Sequence, residues 1–224
     1  MKKKMIQSGS PMAKLLKRVG IPKTDDWDYL LVGDGSGTTL ERTCGWASVL
    51  ISRNDQRKAF WGSFSVGTNN IAEMMAYALP LLYLSQVIPK RRAAAVEKGK
   101  PFPDVIKIHV ISDSEYVVLG GKNPLRRKAN GPLWQLMQRA AAESGIRISW
   151  HHDRRDISDL NRLSHELANV SRKSISPEQL TDCLEKIRRK SLERTTAFDQ
   201  CRRLCLSRYL WVALSRCLCW MDRR

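Results

Sequence analysis

The sequence predicts an α/β domain with the element order β-β-β-α-β-α-α-β-α. Three observations carry that expectation. Short apolar runs bounded by turn residues alternate with longer stretches of helical periodicity. The first three runs follow one another closely, as in an antiparallel meander. Two of the runs, the first and the fourth, end in a carboxylate followed by small residues.

The first run is Tyr29-Leu30-Leu31-Val32, and Gly33-Asp34-Gly35-Ser36-Gly37-Thr38 follows it. Gly with Ser and Thr marks the place where such a strand stops. Asp34 is therefore expected near the end of a core strand. Taken alone it fits an aspartate opening an Asx-type turn as well as a metal ligand on a rigid element. Gly45 to Ile51 forms the second run and Lys58 to Val66 the third, with Asn54-Asp55 as the turn between them. Thr68-Asn69-Asn70 resembles a helix cap, and a strongly apolar helix is expected from Ile71 to about Leu84. Pro80 inside it predicts a kink or a weakened ladder, and Glu73 is its only acid. Pro89 to Pro103 is basic and bounded by Pro and Gly, so an exposed connection is expected. Val105 to Ile111 is the fourth strand, closed by Ser112-Asp113-Ser114. A helix from Glu115 to about Leu119 is broken by Gly120-Gly121, and Lys122 to Gly131 is a basic loop. Leu133 to Ser144 is helical and capped by Gly145. Ile146 to Trp150 is the fifth strand. His151 to Asp156 is a charged loop, and Ser158-Asp159 begins a helix running to about Lys173.

Three segments follow: a basic N-terminal arm (1–24), the α/β domain (25–173) and a helical, Cys- and Arg-rich C-terminal extension (174–224). The arm holds a helical patch, Met12 to Lys17, ended by Gly20 and Pro22. It is expected either to lie on nucleic acid or to be a solvated extension. The extension opens at Ser176-Pro177-Glu178, a capping Ser with Pro in the first turn. Its Leu204, Leu206, Tyr209, Leu210, Trp211 and Leu214 would form an apolar patch that favours docking, on the domain or on a protein partner. Cys44 is expected as a small core residue. Cys183, Cys201, Cys205, Cys217 and Cys219 lack the common zinc spacing and have no nearby His, which favours apolar helix faces. The net charge of +17 over 224 residues favours a polyanion partner, nucleic acid or an anionic membrane surface. No stretch is expected to span a bilayer, and Met1 to Met5 lacks the apolar core of a secretion signal. A reducing, intracellular, cytoplasmic setting is expected.

If Asp34, Glu73 and Asp113 converge, they form a cluster that repels itself unless a cation is present. Hard oxygen ligands suit Mg²⁺ or Mn²⁺. Such a site can hold two ions, one activating water and one stabilising the leaving oxygen of a phosphodiester.

From about Tyr29 to about Lys173 the chain resembles ribonuclease H of the type-1 class. The motifs are Asp34-Gly35-Ser36, Thr68-Asn69-Asn70-x-x-Glu73-x-Met75-Ala76, Ser112-Asp113-Ser114-x-Tyr116-Val117, and Leu133-Trp134-Gln135 after a basic loop. The resemblance implies a five-stranded mixed sheet, three antiparallel strands then two parallel ones, flanked by helices. It implies a metal-dependent endonuclease that hydrolyses the RNA strand of RNA/DNA hybrids with two Mg²⁺ or Mn²⁺ ions. Asp34, Glu73 and Asp113 would be three of the family's four metal-binding acids. Asn69 and Asn70 would contact the hybrid, whose RNA strand carries 2′-hydroxyls. Ser36 and Ser114 lie in the same motifs and are expected substrate contacts. Lys122, Arg126 and Arg127 sit where the family often carries a basic protrusion, here a short one. The fourth acid is missing. The preferred register, Leu160-Asn161-Arg162-Leu163-Ser164, puts Asn161 in its place. A second, Ser164-His165-Glu166-Leu167-Ala168, puts His165 there, and Asp159 is a third candidate. His151 or His152 could stand in for a mobile histidine of some members, or be solvated loop residues. A proofreading-type exonuclease would want Asp-x-Glu on the first strand, and an integrase would not need Glu73. The remaining rival is a catalytically weakened nucleic-acid-binding module, which a substituted fourth acid supports.

Overall fold

A computed structural model describes residues 11–22, 27–37, 43–64, 67–154 and 159–173. The elements are α1 (Pro11–Arg18), β1 (Tyr29–Gly37), β2 (Cys44–Ser52), β3 (Arg57–Phe64), α2 (Asn69–Glu97), β4 (Ile106–Ser112), α3 (Glu115–Lys122), α4 (Gly131–Ser144), β5 (Ile146–His152) and α5 (Asp159–Arg172), with a short 3-10 turn at Pro124–Arg126. The five strands form one sheet in the order β3-β2-β1-β4-β5. β1, β2 and β3 pair antiparallel, while β4 pairs parallel to both β1 and β5. The expected mixed sheet is therefore present, with β1 at its centre. The C-terminal extension (174–224), with its five cysteines and its apolar residues, lies outside the described residues, as does Asp156.

Strand alternation divides the core in two. Leu31, Ile106, Ile108 and Val110 face α2 and α4, where Met74, Tyr77, Leu81 and Trp134 cover them. Leu30, Val32, Val49, Ile51 and Ile111 face the other way, under Leu163 and Leu167 of α5 and Leu15 and Leu16 of α1. One face of residues 11–22 of the expected arm thus belongs to the second core, while Lys14 and Lys17 stay exposed. The reason is their amphipathicity: Leu15, Leu16 and Ile21 bury against Trp27 and the sheet. Arg18 then ties the helix down, its Nε 2.7 Å from Asp153 Oδ1 and its Nη2 2.5 Å from Oδ2. The first ten residues lie outside the description.

Three expected boundaries shift, the first at α3, which is not broken at Gly120-Gly121 but runs on to Lys122. β1 continues through Asp34 to Gly37, because its glycines are strand residues and not a turn. α2 continues to Glu97 with Pro80 and Pro89 inside, so most of the expected 89–103 connection is helix. Burial along α2 ends at Ile88, and its last turns are exposed, which is why the apolar periodicity fades before the helix does. At full length α2 is also long and apolar enough to cross a membrane, contrary to the expectation. That apolar window, however, is 67% buried within the domain, as in a core helix.

Gly33 and Gly35 alternate on the face of β1 that meets α2. A Cβ on Gly35 would overlap the backbone nitrogen of Glu73 and the carbonyl carbon of Ala72, and one on Gly33 would press on the Ala76 side chain at 3.1 Å. The helix therefore rests on bare strand backbone. Tyr77 locks the seat: its hydroxyl donates to Gly33 O at 2.5 Å and lies 3.2 Å from Ile111 O, spanning β1 and β4. Gly35→Ala is expected to destabilise the domain by about 3 kcal/mol, the upper part of the overpacking range, because the obstacle is backbone. Urea denaturation of the two proteins checks this, and an unchanged midpoint would contradict the seating.

Candidate metal centre

β1 and β4 run parallel and their register ends at Val32 opposite Ile111. Asp34 and Asp113 each lie two residues further on, so parallel pairing brings them level at the carboxyl ends of adjacent strands. The first turn of α2 lies across this end and delivers Glu73. Asp34, Glu73 and Asp113 each offer a ligand oxygen, all within 4.8 Å of one another. Asp34 is fully buried and Glu73 is 2% exposed; Asp113 is half-buried. Glu73 is held by the strand itself, since Gly35 N–H donates to its Oε2 at 3.1 Å. Asn69 Nδ2 lies 3.4 Å from Oε1.

Packing three acids together out of water has an electrostatic cost. Burial pushes the Glu73 carboxyl up to about 9, with the charges of Asp34 and Asp113 adding to the rise and the Gly35 N–H opposing it. At neutral pH the cluster keeps a proton in place of a cation. An all-oxygen, anionic, partly desolvated donor set fits a hard divalent ion, which would replace that proton.

α5 brings His165 to the cluster. Its Nδ1 lies 2.5 Å from Asp34 Oδ2, and its Nε2 is 2.9 Å from Asn169 Nδ2. Ser36 Oγ donates to Asn169 Oδ1 at 2.6 Å. The second register's candidate, His165, thus reaches the cluster through Asp34. Asn161 is buried one turn earlier on the same helix, a spacing of four residues that keeps both on one face. This is why the sequence pattern admits both registers. Asp159 is exposed and pairs with Arg162 at 2.9 Å, away from the cluster.

The other expected site residues divide. Asn69 and Asn70 are exposed at the start of α2, where Thr68 is the cap and its hydroxyl accepts from Ile71 N at 3.3 Å. Ser114 stands at the start of α3, beside Asp113. Ser36 turns to Asn169. Lys122 is exposed at the end of α3 and Arg126 in the 3-10 turn that follows. Arg127 instead folds back: its Nε donates to Gly120 O at 2.7 Å and its guanidinium sits 4.8 Å from the Trp134 ring centre. His152 Nε2 donates to the backbone carbonyl of Asp113 at 3.2 Å, whereas His151 turns to His109, 2.7 Å away. Sequence reasoning missed Tyr77 and Asn169. Each follows a recognised residue by four helical positions, Glu73 and His165, and that spacing was the available signal.

The raised Glu73 carboxyl sets a pH dependence. Between the ordinary value of 4.5 and about 9, the folded metal-free protein binds more protons than the unfolded chain. Its stability should therefore fall as pH rises through that window. Calorimetry in chelator is expected to give a lower Tm at about pH 8.5 than at about pH 6. Glu73→Gln should flatten that difference, and Mn²⁺ should raise Tm more at the higher pH. A Tm that climbs with pH in wild-type protein and variant alike would contradict the assignment.

No protein-family model matches the sequence, and no curated protein does. Solved structures resemble the fold at low identity. One is the N-terminal RNase H domain of a Mycobacterium tuberculosis protein, 18% identical over 72% of this chain and 99% of that one, with a TM-score of 0.46. Another is RNase H1 of the halophilic archaeon Halobacterium salinarum, 22% identical over 66% of this chain and 98% of that one, TM-score 0.44. A third is the compost-derived LC11-RNase H1, 18% identical over 65% and 96%, TM-score 0.48. By its strand order, strand directions and flanking helices, the described domain has an RNase H-like fold.

Proposed function

We propose that the protein is a metal-dependent endonuclease that hydrolyses the RNA strand of RNA/DNA hybrids. The observation that carries this reading is the convergence of Asp34, Glu73 and Asp113 from three separate elements, at the exposed end of two parallel strands. A buried group of like charges costs stability, and binding a cation is the use that offsets it. Two Mg²⁺ or Mn²⁺ ions would supply an activated water and a stabilised leaving oxygen.

The chain's own residues supply the rest. Asp34 and Asp113 are presented by strand ends that packing on both faces holds rigid. Glu73 is fixed by the Gly35 N–H. Asn69 and Asn70 expose amides at the rim of the centre, suited to 2′-hydroxyls of the RNA strand. Lys122 at the end of α3 and Arg126 in the 3-10 turn place exposed cations there, suited to backbone phosphates. The net charge of +17 supports a polyanionic substrate independently of the site. A cytoplasmic setting is part of the same proposal.

The second reading is a weakened module that binds hybrids and cleaves them poorly. One observation favours it: the α5 side chain that meets Asp34 is a histidine and not an acid. A hybrid labelled on its RNA strand, incubated with Mg²⁺ or with Mn²⁺, separates the two. Cleavage is expected, and Asp113→Asn is expected to lower it by about a thousandfold or more with hybrid binding retained. Binding without cleavage in either metal would favour the module. Cleavage that survives Asp113→Asn would overturn the site.

A further inference from the structure

His165, Asn169, Ser36 and Asp34 form a closed ladder between α5 and β1. Asp34 and Ser36 are two residues apart on the strand, a rise of about 6.6 Å. His165 and Asn169 are four apart on the helix, a rise of about 6 Å. The two spacings match, so each helix residue meets one strand residue. The helix approaches closely at this level because Gly45 is the cross-strand partner of Ser36. A Cβ on Gly45 would overlap Ala168 O and crowd Arg172 N.

Chemistry gives the ladder a direction. The Ser36 hydroxyl donates to Asn169 Oδ1. The opposite edge of that amide is then Nδ2, a donor, so His165 Nε2 must accept. A neutral ring whose Nε2 accepts carries its proton on Nδ1. Nδ1–H then points at Asp34 Oδ2. Both ring nitrogens are thereby engaged, and neither has a lone pair free for a cation.

We propose that His165 is a positioning residue: it orients Asp34 through an Nδ1–H hydrogen bond, is held in that tautomer by Asn169 and Ser36, and does not ligate the metal. This rests on the metal-centre reading above and deepens it. The cation is then held by the three carboxylates, and α5 contributes alignment of Asp34 in place of a fourth negative ligand. Second-sphere partners of this type fix the orientation of ligands in metal sites generally.

Three measurements test it without relying on turnover. In metal-free protein carrying ¹⁵N-labelled histidine, the His165 ring is expected to carry its proton on Nδ1, and Asn169→Leu is expected to shift it toward Nε2. With Mn²⁺ bound, pulsed electron paramagnetic resonance is expected to show no directly coordinated nitrogen from His165. His165→Asp should raise Mn²⁺ affinity about tenfold or more by adding a carboxylate, whereas Asp34→Asn should lower it. An Nε2–H ring in the wild type, or a coordinated nitrogen signal that His165→Ala removes, would overturn the proposal. Failure to bind Mn²⁺ at all would overturn both this proposal and the metal-centre reading. Lack of hybrid cleavage with the tautomer and Mn²⁺ results as expected would overturn the nuclease reading alone.

Discussion

The seating of α2 on the backbone of β1 is the contact on which the rest of the site depends. It is made by absent side chains, those of Gly33 and Gly35, and closed by one present one, Tyr77. Because the helix lies directly on the strand, its first turn comes within hydrogen-bond distance of the Gly35 amide, and Glu73 is fixed there. The Tyr77 hydroxyl reaches the carbonyls of both β1 and β4. It therefore sets the position of the two strands that carry Asp34 and Asp113 relative to the helix that carries Glu73. A shift of about 1 Å at this seat would matter to chemistry, since metal sites need ligands held to within about 0.5 Å.

That rigidity is also what makes the electrostatics unfavourable in the absence of a cation. A loosely held acid would turn to solvent and ionise. Here Asp34 is fully buried and Glu73 nearly so, and packing on both faces of the sheet keeps them where they are. The strain is relieved by a proton on the cluster or by a cation, and the two compete for the same oxygens. The basic balance of the chain acts at longer range. Exposed lysines and arginines such as Lys122 and Arg126 raise the local concentration of a polyanion. Their effect is screened within about 10 Å at ordinary salt, so it does not neutralise the buried acids.

Most of the fold was legible because strand alternation and helix periodicity are local signals. The five strands and the helices that follow β3 are all present, in the order that apolar spacing predicts. The errors share a physical origin. Gly33, Gly35 and Gly37 resemble a turn in a sequence, yet here they are strand positions emptied for a neighbouring helix, a tertiary reason that no local pattern shows. α2 outruns its apolar periodicity because its last turns project from the domain and need no buried face. α1 looks like a detached arm until Trp27 and the second face of the sheet are in place to receive Leu15 and Leu16. In the site, the three acids were legible from motif order, and their convergence follows from the β1–β4 register. The fourth position was ambiguous because Asn161 and His165 lie on one helix face. The contact of His165 with Asp34 comes from the seating of α5 on the sheet, which is close at Gly45.

An imidazole beside Asp34, if it takes the place of a fourth carboxylate as proposed, changes the balance of the centre in both of its states. Without metal, a fourth acid would add one more buried like charge and raise the protonation of the others further. A hydrogen-bond donor adds no such charge. With metal, the same exchange removes a negative ligand, and Coulomb attraction for a divalent ion weakens in proportion. A fourth acid would contribute through charge; a donor contributes through orientation. The Ser36-Asn169-His165 ladder is consistent with the second role, because each of its links restricts a direction and none adds a negative charge. An ion in such a centre relies on the placement of three oxygens, so the backbone seat at Gly33 and Gly35 has to carry the accuracy that a fourth ligand would otherwise have shared.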